Sequence, residues 1–391
     1  MHILLSNDDG ISSAGIVALQ EALASLDEIW VVARKGYPRP IVNARSSEAK
    51  LDSTTLSGYV VEPVTMILPA GLTTDQMPAA MLPRLGLTQD PQEPLDGLTF
   101  LPSAGGIEEC IYLKPVSIVK PTGGRLSFPN QHGFRSESSL QEFHAIQTLR
   151  AYQAGGMVDH RLEIGIYQLL AQLCISPGPW IGEEIALGEN HQHNLPQLEG
   201  PGAQKMVFQL TSRAGSFLRL LRSHFAEVSA SGTAIAQVIL EYVVPANLSS
   251  DTVTTLPYMK CNNEIWIGLE IRDLPAPQIL LGSSQIICVP AWRVPRQANH
   301  GSSGSEIAST FLQRDFDLDS ENVYVLGGAY YPSPGTTPER VYPFAASVST
   351  AGKGLFWIRL QTMIETIRSV RDGHLICSLF RLAHAMGLLK R

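Results

Sequence analysis

The chain has 391 residues, is 44% hydrophobic and 17% charged, and carries a net charge of −7 from 29 basic and 36 acidic residues. That is the composition of a globular protein of two or three domains. A mildly acidic chain with no cluster of Lys and Arg does not predict a nucleic-acid surface. It has no apolar run of transmembrane length and no signal-type leader, so neither a membrane nor a secretory role is expected, and the expected compartment is the cytoplasm. Five scattered cysteines without Cys-x-x-Cys spacing point to reduced thiols rather than a zinc site.

Residues 2–34 read as one β-α-β unit. Ile3, Leu4 and Leu5 are apolar on both faces, as a central parallel strand requires. Ser12 and Ser13 can cap a helix whose apolar positions are Ile16, Leu19, Leu23 and Leu26. Ile29 to Ala33 is a second apolar run. The first strand delivers Asn7, Asp8, Asp9 and Gly10 to its carboxyl end, where ligands of open α/β sheets bind. Two adjacent carboxylates beside an Asn suit a hard divalent cation. The competing reading is a polar turn that caps the helix.

After Arg34 the chain is polar and rich in Ser, Arg and Pro, and the β-α-β alternation stops. Beyond it, the chain is self-similar. Phe100-Leu-Pro-Ser-Ala-Gly-Gly-Ile-Glu-Glu-Cys-Ile-Tyr112 aligns with Tyr330-Tyr-Pro-Ser-Pro-Gly-Thr-Thr-Pro-Glu-Arg-Val-Tyr342. Pro102/Pro332, Ser103/Ser333, Gly105/Gly335, Glu109/Glu339 and Tyr112/Tyr342 coincide. Upstream, Ile67–Ala70 resembles Cys288–Ala291, and Ala79–Leu87 resembles Ala308–Leu318 as a short helix. Downstream, Ile146, Thr148, Arg150 and Gly155 stand opposite Ile364, Thr366, Arg368 and Gly373. Four blocks in the same order predict two diverged copies of one domain. The expected organisation is a β-α-β segment (1–50), repeat 1 (51–187), a linker (188–204) and repeat 2 (205–391).

The opening motif Leu4-Leu-Ser-Asn-Asp-Asp-Gly-Ile11, continuing through Gly15, Leu19, Leu23 and Val31–Ala33, resembles the SurE family of metal-dependent 5′/3′-nucleotidases. That resemblance implies Asp8 and Asp9 as ligands of Mg²⁺ or Mn²⁺ and as the catalytic pair. It implies Asn7 and Gly10 beside the substrate, and a nucleotide or other phosphate-bearing small molecule as ligand. A homo-oligomer is compatible with it. The family's Ser ligand has no counterpart in Arg34-Lys-Gly-Tyr-Pro-Arg-Pro-Ile41, and its Ser-Gly-Ile-Asn segment has none in the chain.

The loop Tyr330–Glu339 resembles the segment after the catalytic helix of Nudix hydrolases of the ADP-ribose pyrophosphatase type. The fold implied is therefore α/β and α+β: a short β-α-β unit followed by two Nudix-like α/β/α sandwiches. Nudix chemistry needs several carboxylates on one helix face. Here Phe311, Arg314 and Asp315 stand at those places, and Ala80, Pro83 and Arg84 in the first copy. Asp315 and Glu339 are the weak candidates that remain, and both copies are expected to be inactive as diphosphatases. A third group, Glu183, Glu184, Glu189, His191 and His193, reads as a solvated loop. The functional expectation is a metal-dependent nucleotide phosphohydrolase, with a non-catalytic tandem Nudix-fold scaffold as the alternative.

Overall fold

The computed structural model describes residues 73–85, 88–89, 95–119 (without 108 and 117), 145–191 (without 157), 218–228, 234–294 (without 247) and 303–389 (without 334 and 335). The β-α-β segment with Asn7, Asp8, Asp9 and Gly10 lies outside the described residues, as does most of the expected linker.

The described chain is a mixed α/β structure. Its first part holds the short helix α1 (Met77–Met81) and strands β1 (Thr88–Gln89), β2 (Leu98–Phe100), β3 (Ile111–Leu113) and β4 (Ile118–Val119). Helix α2 (Ala145–Gln153), strand β5 (Val158–Asp159) and helix α3 (His160–Gln172) follow, then β6 (Asn190–His191). A long hairpin, β7 (Leu218–Val228) with β8 (Ala234–Pro245), pairs only with itself among the described strands. Its base is tied to the body by Val243 N–H donating to the Thr336 carbonyl at 3.0 Å.

The remaining strands are β9 (Asp251–Cys261), β10 (Glu264–Asp273), β11 (Gln285–Cys288), β12 (Ala291–Arg293), β13 (Ser320–Val325), β14 (Tyr330–Tyr331), β15 (Arg340–Val348) and β16 (Phe356–Arg359). Between them lie α4 (Pro275–Leu281), α5 (Gly304–Phe316), α6 (Leu360–Glu365) and α7 (Gly373–Ala385). Among the described residues one ten-stranded sheet runs β11-β10-β9-β15-β14-β5, with β12, β13, β16 and β6 attached to its inner strands.

β9 is the centre of that sheet. It is antiparallel to β10 and parallel to β15, and nearly every side chain along it is buried, as a strand covered on both faces requires. The β9–β10 hairpin turns on Asn262 and Asn263, both at positive φ (52° and 63°). Asparagine tolerates that conformation, which the two-residue turn needs. Asn190 Oδ1 accepts from Asn263 N–H at 2.8 Å, and β6 pairs in parallel with the end of β9. Two residues of the expected linker, Asn190 and His191, thus belong to the sheet.

Helix α5 starts on a capping box, with Ser303 Oγ accepting from Glu306 N–H and Glu306 Oε2 accepting from Ser303 N–H. It stops at Asp317, in the left-handed conformation. Ala308, Phe311, Leu312 and Phe316 form its buried stripe. The helix begins four residues earlier than the stretch aligned from sequence, because the cap at Ser303 lies upstream of the apolar pattern.

α3 and α7 begin alike. Asp159 caps α3 by accepting from Arg161 N–H, and Asp372 caps α7 by accepting from His374 and Leu375 N–H. The two helices pack together, with the rings of Tyr167 and Phe380 stacked at 5.2 Å. One core runs across both parts of the chain. It joins Leu98, Phe100, Leu149, Ile164 and Tyr167 to Leu256, Tyr330, Leu375, Leu379 and Phe380. At its heart Glu163 and Arg381, each 1% exposed, form a bidentate pair at 2.7 Å in both arms. Among the described residues no helix is long and apolar enough to cross a membrane, and none of the five cysteines forms a disulfide.

Candidate functional site

A cavity of about 470 Å³ opens where the turn after β2 meets the edge of the large sheet. Ser103 to Gly106 form one wall. Arg272 of β10, Trp292 and Arg293 of β12, and Phe311 and Arg314 of α5 form the others, with Glu339, Asp372 and His374 at the base. The strands bring these residues together because β12 pairs with β9 at Thr252–Thr254 and β15 runs beside the same stretch of β9.

Glu339 is 2% exposed and fully engaged. Thr252 Oγ1 donates to Oε1 at 2.7 Å and Ser103 Oγ donates to Oε2 at 3.2 Å. The Arg293 guanidinium sits 3.1 Å from Oε1 and also donates to the Ser250 carbonyl. A carboxylate so surrounded is satisfied by donors and a cation.

Asp315 is differently placed. It lies at the end of α5, partly exposed, and accepts from Trp292 Nε1 at 2.7 Å and from Arg314 at 2.6 and 2.7 Å. The Arg314 hydrogen bond holds its carboxyl below the usual aspartate range. The Arg314 guanidinium itself rests over the Phe311 ring, 4.6 Å from the centroid. Asp315 and Glu339 are therefore held by adjacent residues of β12, Trp292 and Arg293, both of which line the cavity.

The other acids of the region are also accounted for. Burial pushes the Glu270 carboxyl up, and Arg272 lies 3.7 Å from it. Burial pushes Asp372 up as well, although three backbone N–H groups (Val289, His374 and Leu375) point at it. His374 Nδ1 is 3.1 Å from the Tyr330 hydroxyl. No group of three His, Cys, Asp or Glu side chains among the described residues is arranged to hold a metal ion. The donor set at Asp315 and Glu339 does not fit a divalent cation, since each carboxylate already faces an arginine.

A second buried acid mirrors Glu339. Glu109 has the Ser333 side chain and Arg161 beside it, and burial raises its pKa. Its Oε2 has no hydrogen-bond partner. The repeated Ser and Glu were visible in sequence, but that each Ser would meet the Glu of the other segment was not. The Glu163–Arg381 pair was missed altogether, since nothing local distinguishes these residues from solvated charges on an amphipathic helix.

Among the described residues, Glu183, Glu184, Glu189 and His191 do not converge as a metal-binding group. Glu183 Oε2 accepts from Val325 N–H at 2.7 Å, and the Glu183 carbonyl accepts from Trp180 Nε1. The His191 carbonyl accepts from Asn262 N–H within the β6 edge, and His193 lies outside the described residues. A further cavity of about 480 Å³ lies between the Ser176–Gly182 loop and the end of α7. There the His384 ring is tied to the Gly178 carbonyl at 2.9 Å.

Among known families, the one described as Survival protein SurE matches residues 3–38. That stretch is SurE-like. It includes Asn7, Asp8, Asp9 and Gly10 and is less than a tenth of the chain. No curated protein matches the sequence.

Proposed function

We propose that the protein is a metal-dependent nucleotide phosphohydrolase whose chemistry belongs to the SurE-like segment. The observation that carries this reading is the match over residues 3–38, a stretch that includes Asp8 and Asp9. SurE proteins are metal-dependent nucleotidases, and two adjacent carboxylates with an Asn are a donor set suited to Mg²⁺ or Mn²⁺. Asp8 and Asp9 would hold the cation, with Asn7 and Gly10 beside the substrate. Such a cation supplies Lewis-acid polarisation of a phosphoryl oxygen and a more acidic bound water. The substrate class is a nucleoside monophosphate or a related phosphomonoester.

The test is phosphate release from nucleoside monophosphates by the full chain with Mg²⁺ or Mn²⁺. Activity is expected with metal and absent with chelator, and Asp8→Asn should lower it at least a hundredfold. A purified chain that releases no phosphate with any common divalent cation would overturn the reading.

A second reading is favoured by the cavity at Glu339. In it, the rest of the chain is a tandem of Nudix-like folds that binds or assembles without catalysing. Its support is the state of Asp315 and Glu339, both neutralised by arginines, with Phe311 and Arg314 where a metal-binding helix would carry acids. It predicts that Asp8→Asn with Asp9→Asn leaves the folding of residues 73–389 intact.

A further inference from the structure

Two kinds of contact between the early and late parts of the body occur twice, with the two parts interchanged. Leu101, in the turn after β2, bridges Asp372 in parallel at the head of α7. Its N–H donates to the Arg371 carbonyl at 2.8 Å, and its carbonyl accepts from Gly373 N–H at 2.9 Å. In the other direction, Tyr331, the last residue of β14, pairs in parallel with Asp159 at the head of α3. Ser103 donates to Glu339, and the Ser333 side chain lies beside Glu109.

The turns themselves have one geometry. Gly106 and Ile107 N–H both donate to the Ser103 carbonyl, and Thr336 and Thr337 N–H both donate to the Ser333 carbonyl, all at 3.0 Å. Within each part a further bond is repeated. Gln168 of α3 donates to the Asp96 carbonyl, just before β2, and Arg381 of α7 donates to the Leu326 carbonyl, just before β14. Gln168 and Arg381 stand at the same place after the two capping aspartates.

We propose that the body is a covalently joined pair of copies that have exchanged their Ser turns. Each turn is a docking element, and its partner is the helix head of the other copy. Two self-contained domains in tandem would seat Leu101 on Val158–Asp159 and Tyr331 on Arg371–Asp372; the structure shows the crossed arrangement in both places. One crossed contact could arise from a local insertion. Two strand bridges and two Ser–Glu latches related by the same interchange require an approximate two-fold relation. The cavity at Glu339 is then a joint product: its Ser103–Gly106 wall comes from one copy and its remaining walls from the other. The exchange does not depend on the hydrolase reading, because none of its residues lies in the SurE-like segment.

The experiment is hydrogen–deuterium exchange on the full chain carrying Ser103→Ala or Ser333→Ala. Loss of a hydrogen bond to a buried carboxylate should speed exchange of the amides it protects about tenfold or more. Ser103→Ala should speed exchange at the head of α7, residues 371–377, and Ser333→Ala at the head of α3, residues 158–164. The isosteric Glu339→Gln should reproduce the Ser103→Ala pattern, and urea should unfold the body in one transition. Effects confined to residues 98–113 for Ser103→Ala and to 330–342 for Ser333→Ala would overturn the proposal. Two separate unfolding transitions for the two parts would also overturn it.

Discussion

Arg381→Met should bring the body close to unfolding. Arg381 and Glu163 are each 1% exposed, and both arms of the carboxylate are met by guanidinium N–H groups at 2.7 Å. The same guanidinium donates to the Leu326 and Gly328 carbonyls at 2.6 Å each. Methionine replaces the volume but none of these donors. An uncompensated buried carboxylate costs about 3–5 kcal/mol. Two carbonyls without their donor add about 1 kcal/mol each. The sum, about 5–7 kcal/mol, is comparable with the whole stability of a typical domain. Urea unfolding followed by far-UV circular dichroism would show the midpoint collapse. Adding Glu163→Leu should recover more than half of the loss, because the stranded charge is then gone. A loss under about 1 kcal/mol in Arg381→Met, or no recovery in the double variant, would refute the argument that the charge pair holds α3 to α7.

Gly373→Ala should be costly although alanine favours helices. An added Cβ would lie 2.9 Å from both His160 Nε2 and the Leu101 carbonyl and 3.0 Å from Phe100 Cδ2, all in a closed interior. Overpacking of this kind costs about 1–3 kcal/mol, read as a drop in Tm by calorimetry. A pH effect centres on His160, whose imidazole is held neutral by complete burial, reinforced by His374 and Arg161. As pH falls through about 6.5, the unfolded chain takes up a proton that the native ring refuses, so this contribution to stability is lost toward acid pH. His384 acts in the same sense, also through burial. Glu109 and Asp372, raised by burial, act in the opposite sense, since the native state binds their protons first on acidification. Comparing urea midpoints at pH 7 and pH 5 in the native chain and in His160→Gln separates the His160 contribution from those of the other groups, which both proteins share. His160→Gln should lose less stability over that interval than the native chain, and equal losses would exclude such a contribution.

What sequence revealed, and what it hid, follows from the range of each interaction. The Ser-to-Glu spacing shared by residues 103–109 and 333–339 is a local pattern, and alignment finds it. The partner of each Ser is set by how two helix heads and two turns cross in space, over separations that no spacing encodes. The alternating charges of α3 have the look of a solvated face, yet His160, Arg161 and Glu163 are all buried, Arg161 against Asp159 and Glu163 against Arg381 of α7. The β9–β10 hairpin carries a turn signal in Asn262 and Asn263, but only the sheet shows that β9 lies at its centre. For the site, sequence offered Asp315 and Glu339 as weak candidates, and the structure pairs each with an arginine. Arg293, the partner of Glu339, and Trp292, the second partner of Asp315, come from β12, a strand of three residues too short to announce itself in sequence.

The two functional readings divide the chain by where an unpaired acid can exist. In the body, the acids that line the cavity or lie beside its walls each have a compensating neighbour: Glu339 has Arg293, Asp315 has Arg314, Glu270 has Arg272, and Asp372 has three backbone N–H groups. A cation entering there would have to displace an arginine from a carboxylate it already satisfies, at a cost that a single remaining ligand does not repay. Asp8 and Asp9 are followed by Gly10 and Ile11, with no Lys or Arg until Arg34. That local sequence carries no counter-charge for them, which is the ground on which the hydrolase proposal assigns them a divalent cation. The cavity at Glu339 is left as a place where the two parts of the body meet rather than a centre of metal chemistry.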